Sequence, residues 1–483
     1  MLGLNNIKNY KPPSRIIGIQ FSHFSPEEIR KNSVAEITSR ETYTNNRPVI
    51  GGLMDPRMSV SEPGQICVSD GLTYIDNPGY FGHIELARPV FYITEIKEIV
   101  KFARCICFKC SKSLIDKSKH LHILDRSNEE RNDYVYALAS KVKRCGEKNT
   151  DGCGCMQPDK IKIESMATIF AIWNSIETTD ENGVAEKKKF NIRLTPETML
   201  KIFKRVSDDD INFMGFSPVF SRPEWMICEV LPVPPPCVRP SVKHDAQQRS
   251  EDDLTHIYSN IIKTNNDLRK KIEENANPAI IEGLTTVLQY FVAMIANNKV
   301  KGAAPMAQRS GRPLNCIMKR INHKEGRIRG NLMGKRVDFS ARSVITGDPN
   351  LGIQQLGVPL KIAKNITKPI VVNDLNRNFL MKLVQNGPLE YPGAKILERK
   401  NGENISLRYV DRLSIQLENG DVVHRHMMDG DILLFNRQPS LHKMSMMGLI
   451  VKVMMKGDTF RFNVAVTRPF NADFPTMVGN MRR

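Results

Sequence analysis

FSRPEWMICEVLPVPPPCVRPSV, residues 220 to 242, divides the chain. It holds six prolines between Pro223 and Pro240. Each ring fixes φ and removes an N–H donor, so proline at that density argues against helix and central strand. The stretch is expected to be an extended, stiff connector at a domain boundary. The sequence before it is rich in cysteine. The sequence after it turns helical, then strongly basic, then rich in hairpin signals.

Six of the ten cysteines, Cys105, Cys107, Cys110, Cys145, Cys153 and Cys155, fall within a 51-residue window upstream of the prolines. Cys107 and Cys110 have the C-x2-C spacing that aims two sulfurs at one point. Cys145 with either Cys153 or Cys155 can complete a tetrahedral thiolate site for zinc. Further upstream, Cys67 is followed by Asp70, Asn77 and Tyr80, so one sulfur stands without three partners. A lone cysteine of that kind is expected as a small core residue.

Downstream, Ser250 and Asp253 suggest a capping box. Ile257, Ile261, Thr264, Leu268 and Ile272 recur at helical spacing up to Asn277-Pro278, and Leu284, Val287, Leu288, Phe291 and Ile295 continue the period. Two helices of about 20 residues joined by a short turn should pack as an antiparallel hairpin. The segment KRINHKEGRIRGNLMGKRVDFSAR, Lys319 to Arg342, then carries eight Lys or Arg against Glu325 and Asp338. Gly326, Gly330 and Gly334 interrupt it at four-residue intervals, which would let the backbone approach a ligand while guanidinium groups reach phosphates. Beyond Gly387-Pro388, Asn401-Gly402 and Asn419-Gly420 signal hairpin turns among the alternating residues Ile405, Leu407, Tyr409, Ile415 and Leu417. A compact, barrel-like β unit is expected there, with Asn436-Arg437-Gln438-Pro439 and Asn471-Ala472-Asp473-Phe474 as polar groups at the ends of apolar runs.

The whole chain has 483 residues, which at roughly 150 per domain suggests about three. Seventy basic residues against 52 acidic ones leave a formal charge of +18, so a polyanion such as DNA or RNA is the expected partner. No apolar run suggests a membrane span of roughly 18 residues, and Met1 to Tyr10 lacks the apolar core of a signal peptide. An intracellular protein is expected, with its cysteines as thiols or metal ligands.

Nine blocks in a fixed order carry a resemblance. They are GGLMDPR (51 to 57), FSRPEWMI (220 to 227), LPVPPPCVRPS (231 to 241), EDDLT (251 to 255), EGRIRGNLMGKRVDFSAR (325 to 342), GDPN (347 to 350), NGP (386 to 388), FNRQPSLHKMSMM (435 to 447) and PFNADF (469 to 474). From about residue 15 to 474 the chain resembles the largest subunit of the multisubunit DNA-directed RNA polymerases, in the eukaryotic, archaeal and large-DNA-virus branch.

The resemblance implies a mixed α+β multidomain protein: a zinc-stabilised clamp, an antiparallel helical hairpin and an incomplete double-psi β-barrel. Residues 1–240 would be clamp core and zinc-bearing clamp head, and 241–320 the lid, clamp hairpin and rudder. Residues 321–345 would be a basic switch segment, 346–474 the barrel region of the active centre, and 475–483 a tail outside the family pattern. Within DGCGCMQP (151 to 158) the resemblance selects Cys153 to join Cys107, Cys110 and Cys145 around zinc, leaving Cys155 as the alternative. At a second zinc position the family's ligands fall on Cys67, Asp70, Asn77 and Tyr80, so three of the four are replaced and no metal is expected there. Lys324, Arg329, Arg336 and Arg342 match residues that hold the template and the RNA–DNA hybrid, with Arg327 and Lys335 beside them. Arg437 and Asn471 match residues that read the sugar hydroxyls of the incoming nucleotide.

Nucleotidyl transfer in this family uses magnesium held by a loop of order Asn-Ala-Asp-Phe-Asp-Gly-Asp. This chain has Asp473 and then Pro475, Thr476 and Met477, and Pro475 to Arg483 contain no carboxylate side chain. The magnesium site is therefore expected to be incomplete and the chain inactive by itself. Interruption of a polymerase gene at the metal loop accounts for a match that stays intact up to Phe474. The alternative is a noncatalytic, zinc-containing nucleic-acid-binding clamp module. The polymerase reading implies further partners: the second-largest subunit, other polymerase subunits, the remainder of the largest subunit, and initiation factors at the helical hairpin. It places the protein in the nucleus, or in host cytoplasm or virion if viral.

Overall fold

The computed structural model describes residues 17–19, 21–147, 151–164, 167–179, 185–245, 248–300, 302–472 and 478–482, with backbone alone for 175–179, 185–189 and 478–482. The chain forms two compact units, Met1–Met333 and Gly334–Arg483. The division falls inside the basic segment, between Met333 and Gly334.

The first unit contains β1 (Gly82–Phe91), α1 (Ile96–Ala103), α2 (Asn128–Ala139), the antiparallel sheet of β2 (Lys160–Ile163), β3 (Ile169–Thr179) and β4 (Ala185–Leu194), then α3 (Pro196–Phe203), β5 (Ile227–Val233), α4 (Asp253–Glu273), α5 (Pro278–Ala296) and α6 (Ile317–Asn322). One core gathers Ile99, Phe102, Ile123, Val135, Met199 and Phe203 around the cysteine-rich region. A second gathers Ile84, Cys228, Leu231, Ile257, Ile261, Leu268, Leu288 and Ile295.

The proline-rich stretch is packed into both cores instead of running as a free connector: Met226 and Ile227 lie in the first, Cys228, Leu231 and Val233 in the second. Ile227–Val233 pairs antiparallel with β1, bringing His83 opposite Pro232. A two-stranded sheet tolerates the ring because each strand keeps an edge outside the ladder. The Tyr258 hydroxyl of α4 donates to the Pro232 carbonyl at 3.1 Å. Just beyond, the fully buried Arg239 donates to the carbonyls of Pro234 and Leu53 and to Thr255 Oγ1, tying the stretch to α4.

The helical period is realised except at Val287, which is exposed, with two refinements. Ile257, Ile261, Thr264 and Leu268 are buried, and Asn277 caps α5 with Pro278 at its first position. The cap of α4, however, is Asp252, whose side chain accepts from Leu254 N–H, while Asp253 accepts from Gln308 Nε2 and Asn315 N–H. Ser250 lies instead in a short strand, bonded to His244. The other correction concerns length. Pro278–Ala296, with a mean hydropathy of 1.6, is long and apolar enough by composition to cross a membrane. Its C-terminal half packs inside the first unit: Leu288 and Ile295 lie with α4 residues in the second core, and Gln289 bonds both backbone groups of Phe91.

In the second unit, β6 (Ser340–Gly347) and β7 (Gln355–Pro359) precede a sheet built from β8 (Thr367–Val371), β9 (Ala394–Glu398), β10 (Asn404–Ser406) and β11 (Val422–His426), with helix α7 (Arg377–Asn386) against it. Then come β12 (Ile432–Asn436), β13 (Met446–Met454), β14 (Phe460–Phe462) and β15 (Val478–Arg482). Strands close into a barrel in the order β6-β14-β7-β13-β12-β15. The pairs β6–β14 and β7–β13 are parallel and the other four are antiparallel. Phe435 sits among Phe460, Phe462 and Phe470 at centroid distances of 5.3 to 6.0 Å, filling the interior.

Two expectations are corrected here. The barrel closes among the described residues, because Val478–Arg482 supplies the strand that joins β6 to β12. The hairpin residues near Gly402 do not lie in that barrel. Asn401-Gly402 turns β9 into β10, with Gly402 at φ +87°, in the order β8-β11-β9-β10 of the separate sheet. Ile415 and Leu417 are buried against this sheet without forming a strand, and Tyr409 is exposed.

Candidate nucleic-acid interface and metal centre

Within the first unit the four sulfurs of Cys107, Cys110, Cys145 and Cys153 lie within 4.8 Å of one another. Two short loops bring them together. In one, Ser111 N–H donates to the Cys107 carbonyl at 2.8 Å and Cys107 N–H to Lys112 at 3.0 Å, below a bridge between Ile106 and Ser113. In the other, Cys145 N–H donates to Cys155 at 2.9 Å and Gly154 N–H returns to Cys145 at 3.0 Å. A Cβ on Gly152 would stand 2.1 Å from Gly146, so this second loop closes only with glycine.

The donor set fits zinc. Sulfurs at about 2.3 Å from a tetrahedral ion stand about 3.8 Å apart, and the Cys107–Cys153 and Cys110–Cys145 separations are 3.5 and 3.7 Å. Burial pushes the Cys107 thiol up and Cys145 up to about 12, while the Cys155 backbone N–H draws Cys153 down to about 7. A bound cation would favour the thiolate at all four. Cys155 stands outside the group, its thiol directed to the Met156 carbonyl. Gln157 was not singled out from sequence, yet its Nε2 donates to Cys107 Sγ at 3.2 Å and to the Cys155 carbonyl. Its only sequence signal is its place in DGCGCMQP.

The basic segment is displayed on the surface of each unit. In the first, α6 is anchored by Arg320, which ion-pairs with Asp252 and donates to the Val238 carbonyl. A hollow of about 390 Å³ opens beside it, lined by Asn315, Lys319, Arg320, His323, Glu325, Gly326 and Arg327. Lys324, Arg327 and Arg329 are exposed, and the chain from Arg327 to Met333 winds as a π-helical turn that also exposes Leu332 and Met333. Gly326 is buried, and a Cβ there would lie 2.6 Å from the Ile321 carbonyl oxygen. Glycine at 326 thus serves close packing on α6 rather than approach to a ligand. In the second unit Lys335 and Arg336 are exposed, and Arg342 is exposed on β6. None of these six residues makes an ion pair among the described residues, so their charge is available to a polyanion.

Arg437, just after β12, reaches the turn that carries Asn471. Arg437 donates to the Phe470 carbonyl at 3.3 Å, and Asn471 follows in a left-handed conformation at φ +48°. Asp473 lies outside the described residues.

Residues 13–332 match the family model described as RNA polymerase Rpb1, domain 1, and residues 334–481 match that for RNA polymerase Rpb1, domain 2. The second match runs past Phe474, where the motif-level resemblance stops, and includes most of the closing strand of the barrel.

Proposed function

Since the chain belongs to the RNA polymerase Rpb1 family, that of the largest, catalytic subunit of DNA-directed RNA polymerase, we propose that its own share of the work is to hold the template and the RNA–DNA hybrid and to present the nucleotide's sugar to the active centre. The exposed cations Lys324, Arg327, Arg329, Lys335, Arg336 and Arg342, which make no ion pair among the described residues, carry this reading. Cations without protein counter-charges bind a phosphate backbone at little desolvation cost to an existing ion pair. In RNA synthesis the hybrid must be gripped regardless of sequence and released one step at a time, which suits backbone contacts better than base contacts.

The first unit then serves as clamp, with one zinc closing Cys107, Cys110, Cys145 and Cys153, and the packed pair α4–α5 as the surface for initiation factors. The two parallel strand pairs within an otherwise antiparallel ring support a double-psi barrel in the second unit. Arg437 and Asn471 would bond the ribose hydroxyls there. Magnesium, when bound, would activate the attacking 3′ oxygen and neutralise the leaving pyrophosphate. At the position of the metal loop this sequence has Asp473 followed by Phe474, Pro475, Thr476 and Met477, so this stretch offers one carboxylate, too few to hold the ion. The remaining ligands would come from other polypeptide, and the chain works beside the second-largest subunit inside the cell.

Photo-crosslinking tests the reading. An RNA–DNA hybrid carrying photoreactive backbone groups should label peptides spanning 324–342 of the full chain. Label confined to other segments would refute it.

A further inference from the structure

We propose that residues 66–80 form a second knuckle, built like the zinc-type knuckle at Cys107 but closed by the carboxylate of Asp70 instead of a metal ion. The two loops share a backbone plan residue for residue. Cys67 N–H donates to Leu72 at 3.0 Å and Gly71 N–H to Cys67 at 2.9 Å, below a bridge between Ile66 and Thr73. The same offsets recur at Cys107 with Lys112, Ser111 with Cys107, and Ile106 with Ser113. The fifth residue of each loop turns left-handed, Gly71 at φ +72° and Ser111 at φ +60°. Cys67 therefore occupies the place of Cys107, and Asp70 that of Cys110.

What converges on the centre differs in kind. Asp70 Oδ2 accepts from Asn77 Nδ2 at 2.7 Å and from the Tyr80 hydroxyl at 3.1 Å, while Oδ1 accepts from Leu72 N–H at 2.9 Å. A metal site needs lone pairs aimed inward from every ligand. Here an amide N–H and a phenol O–H point inward as donors, and the single anion at Asp70 answers both. Asn77 is buried, and its own Oδ1 accepts from Gly79 N–H at 2.8 Å, which orients the amide with its NH2 toward Asp70. Gly79 in turn packs on the proline-rich stretch, where a Cβ would stand 2.6 Å from Cys237 Sγ. The hydrogen-bonded centre thus locks the loop onto the strand β5 region without a cation.

The two knuckles should part company when metal is withdrawn. Amide exchange of the full chain, followed with and without a strong zinc chelator, should rise at least tenfold at Ser111 and Cys145 and stay within twofold at Cys67, Gly71 and Leu72. Zinc content should be one equivalent per chain and unchanged in Cys67→Ser. Asp70→Asn, which replaces an acceptor by a competing donor, should raise exchange at Gly71 and Leu72 at least tenfold with zinc content unaltered. Loss of a zinc equivalent in Cys67→Ser, faster exchange at Cys67 and Leu72 on chelation, or unaltered exchange in Asp70→Asn would each overturn the proposal.

Discussion

Asp431 shows how one carboxylate can organise a turn. Burial raises its pKa, but bidentate hydrogen bonds from Arg425, the Met428 N–H and the Lys368 ammonium outweigh that and hold it at about 2. A depressed carboxylate stabilises the fold above its unfolded pKa of about 4 and loses that contribution as pH falls toward 2. At neutral pH the difference is worth on the order of 2 kcal/mol. Asp431→Asn should therefore lower stability at pH 7 and leave it little changed near pH 2, as read by denaturant unfolding at the two values. The cysteines make a second residue-scale case. C-x2-C spacing reveals that Cys107 and Cys110 share a centre, yet spacing alone leaves Cys153 and Cys155 equal. Their separation depends on the turn at Gly154, which directs one sulfur inward and the next to the Met156 carbonyl. Cys153→Ser should abolish tight zinc binding and Cys155→Ser should retain one equivalent, as measured by metal analysis after dialysis.

At the scale of elements, α4 and α5 were legible because burial on one face repeats every three to four residues. The strand at Ile227–Val233 was not. Its prolines speak against a ladder, and only the partner β1, some 140 residues earlier, makes a strand of it. Equally hidden were the polar residues that finish this sheet. Between Glu85 and Val90 the register shifts, and there Asn265 bonds Ala87 N–H and the Glu85 carbonyl, while past the shift Gln289 bonds both backbone groups of Phe91. A buried amide inside an apolar helical stripe looks like an interruption of the pattern until the strand edge it serves is known. Gln289→Ala would leave a buried N–H and C=O unpaired and should cost about 2–4 kcal/mol. Glu282, on the same helix, pairs with Arg193 at the surface. Glu282→Gln should shift stability by less than about 1 kcal/mol, and urea unfolding of the two variants side by side measures the contrast.

Over the whole molecule, the +18 charge and the nine ordered blocks identify a nucleic-acid machine, while the hairpin signals near Gly402 mislead about which sheet closes the barrel. Closure depends on pairings far apart in sequence, such as β6 with β15, that no local signal encodes. Function at this scale turns on whether the exposed cations of the basic segment grip a nucleic-acid backbone. The affinity of the full chain for an RNA–DNA hybrid across a salt series decides it, measured beside a variant with Lys324, Arg329, Lys335 and Arg336 changed to Gln. Each phosphate contact removed should flatten the slope of log K against log salt by about 0.7–0.9. Steep salt dependence is expected in the parent, and a slope shallower by about 3 in the variant. Parallel lines for the two proteins, or binding indifferent to salt, would contradict the grip.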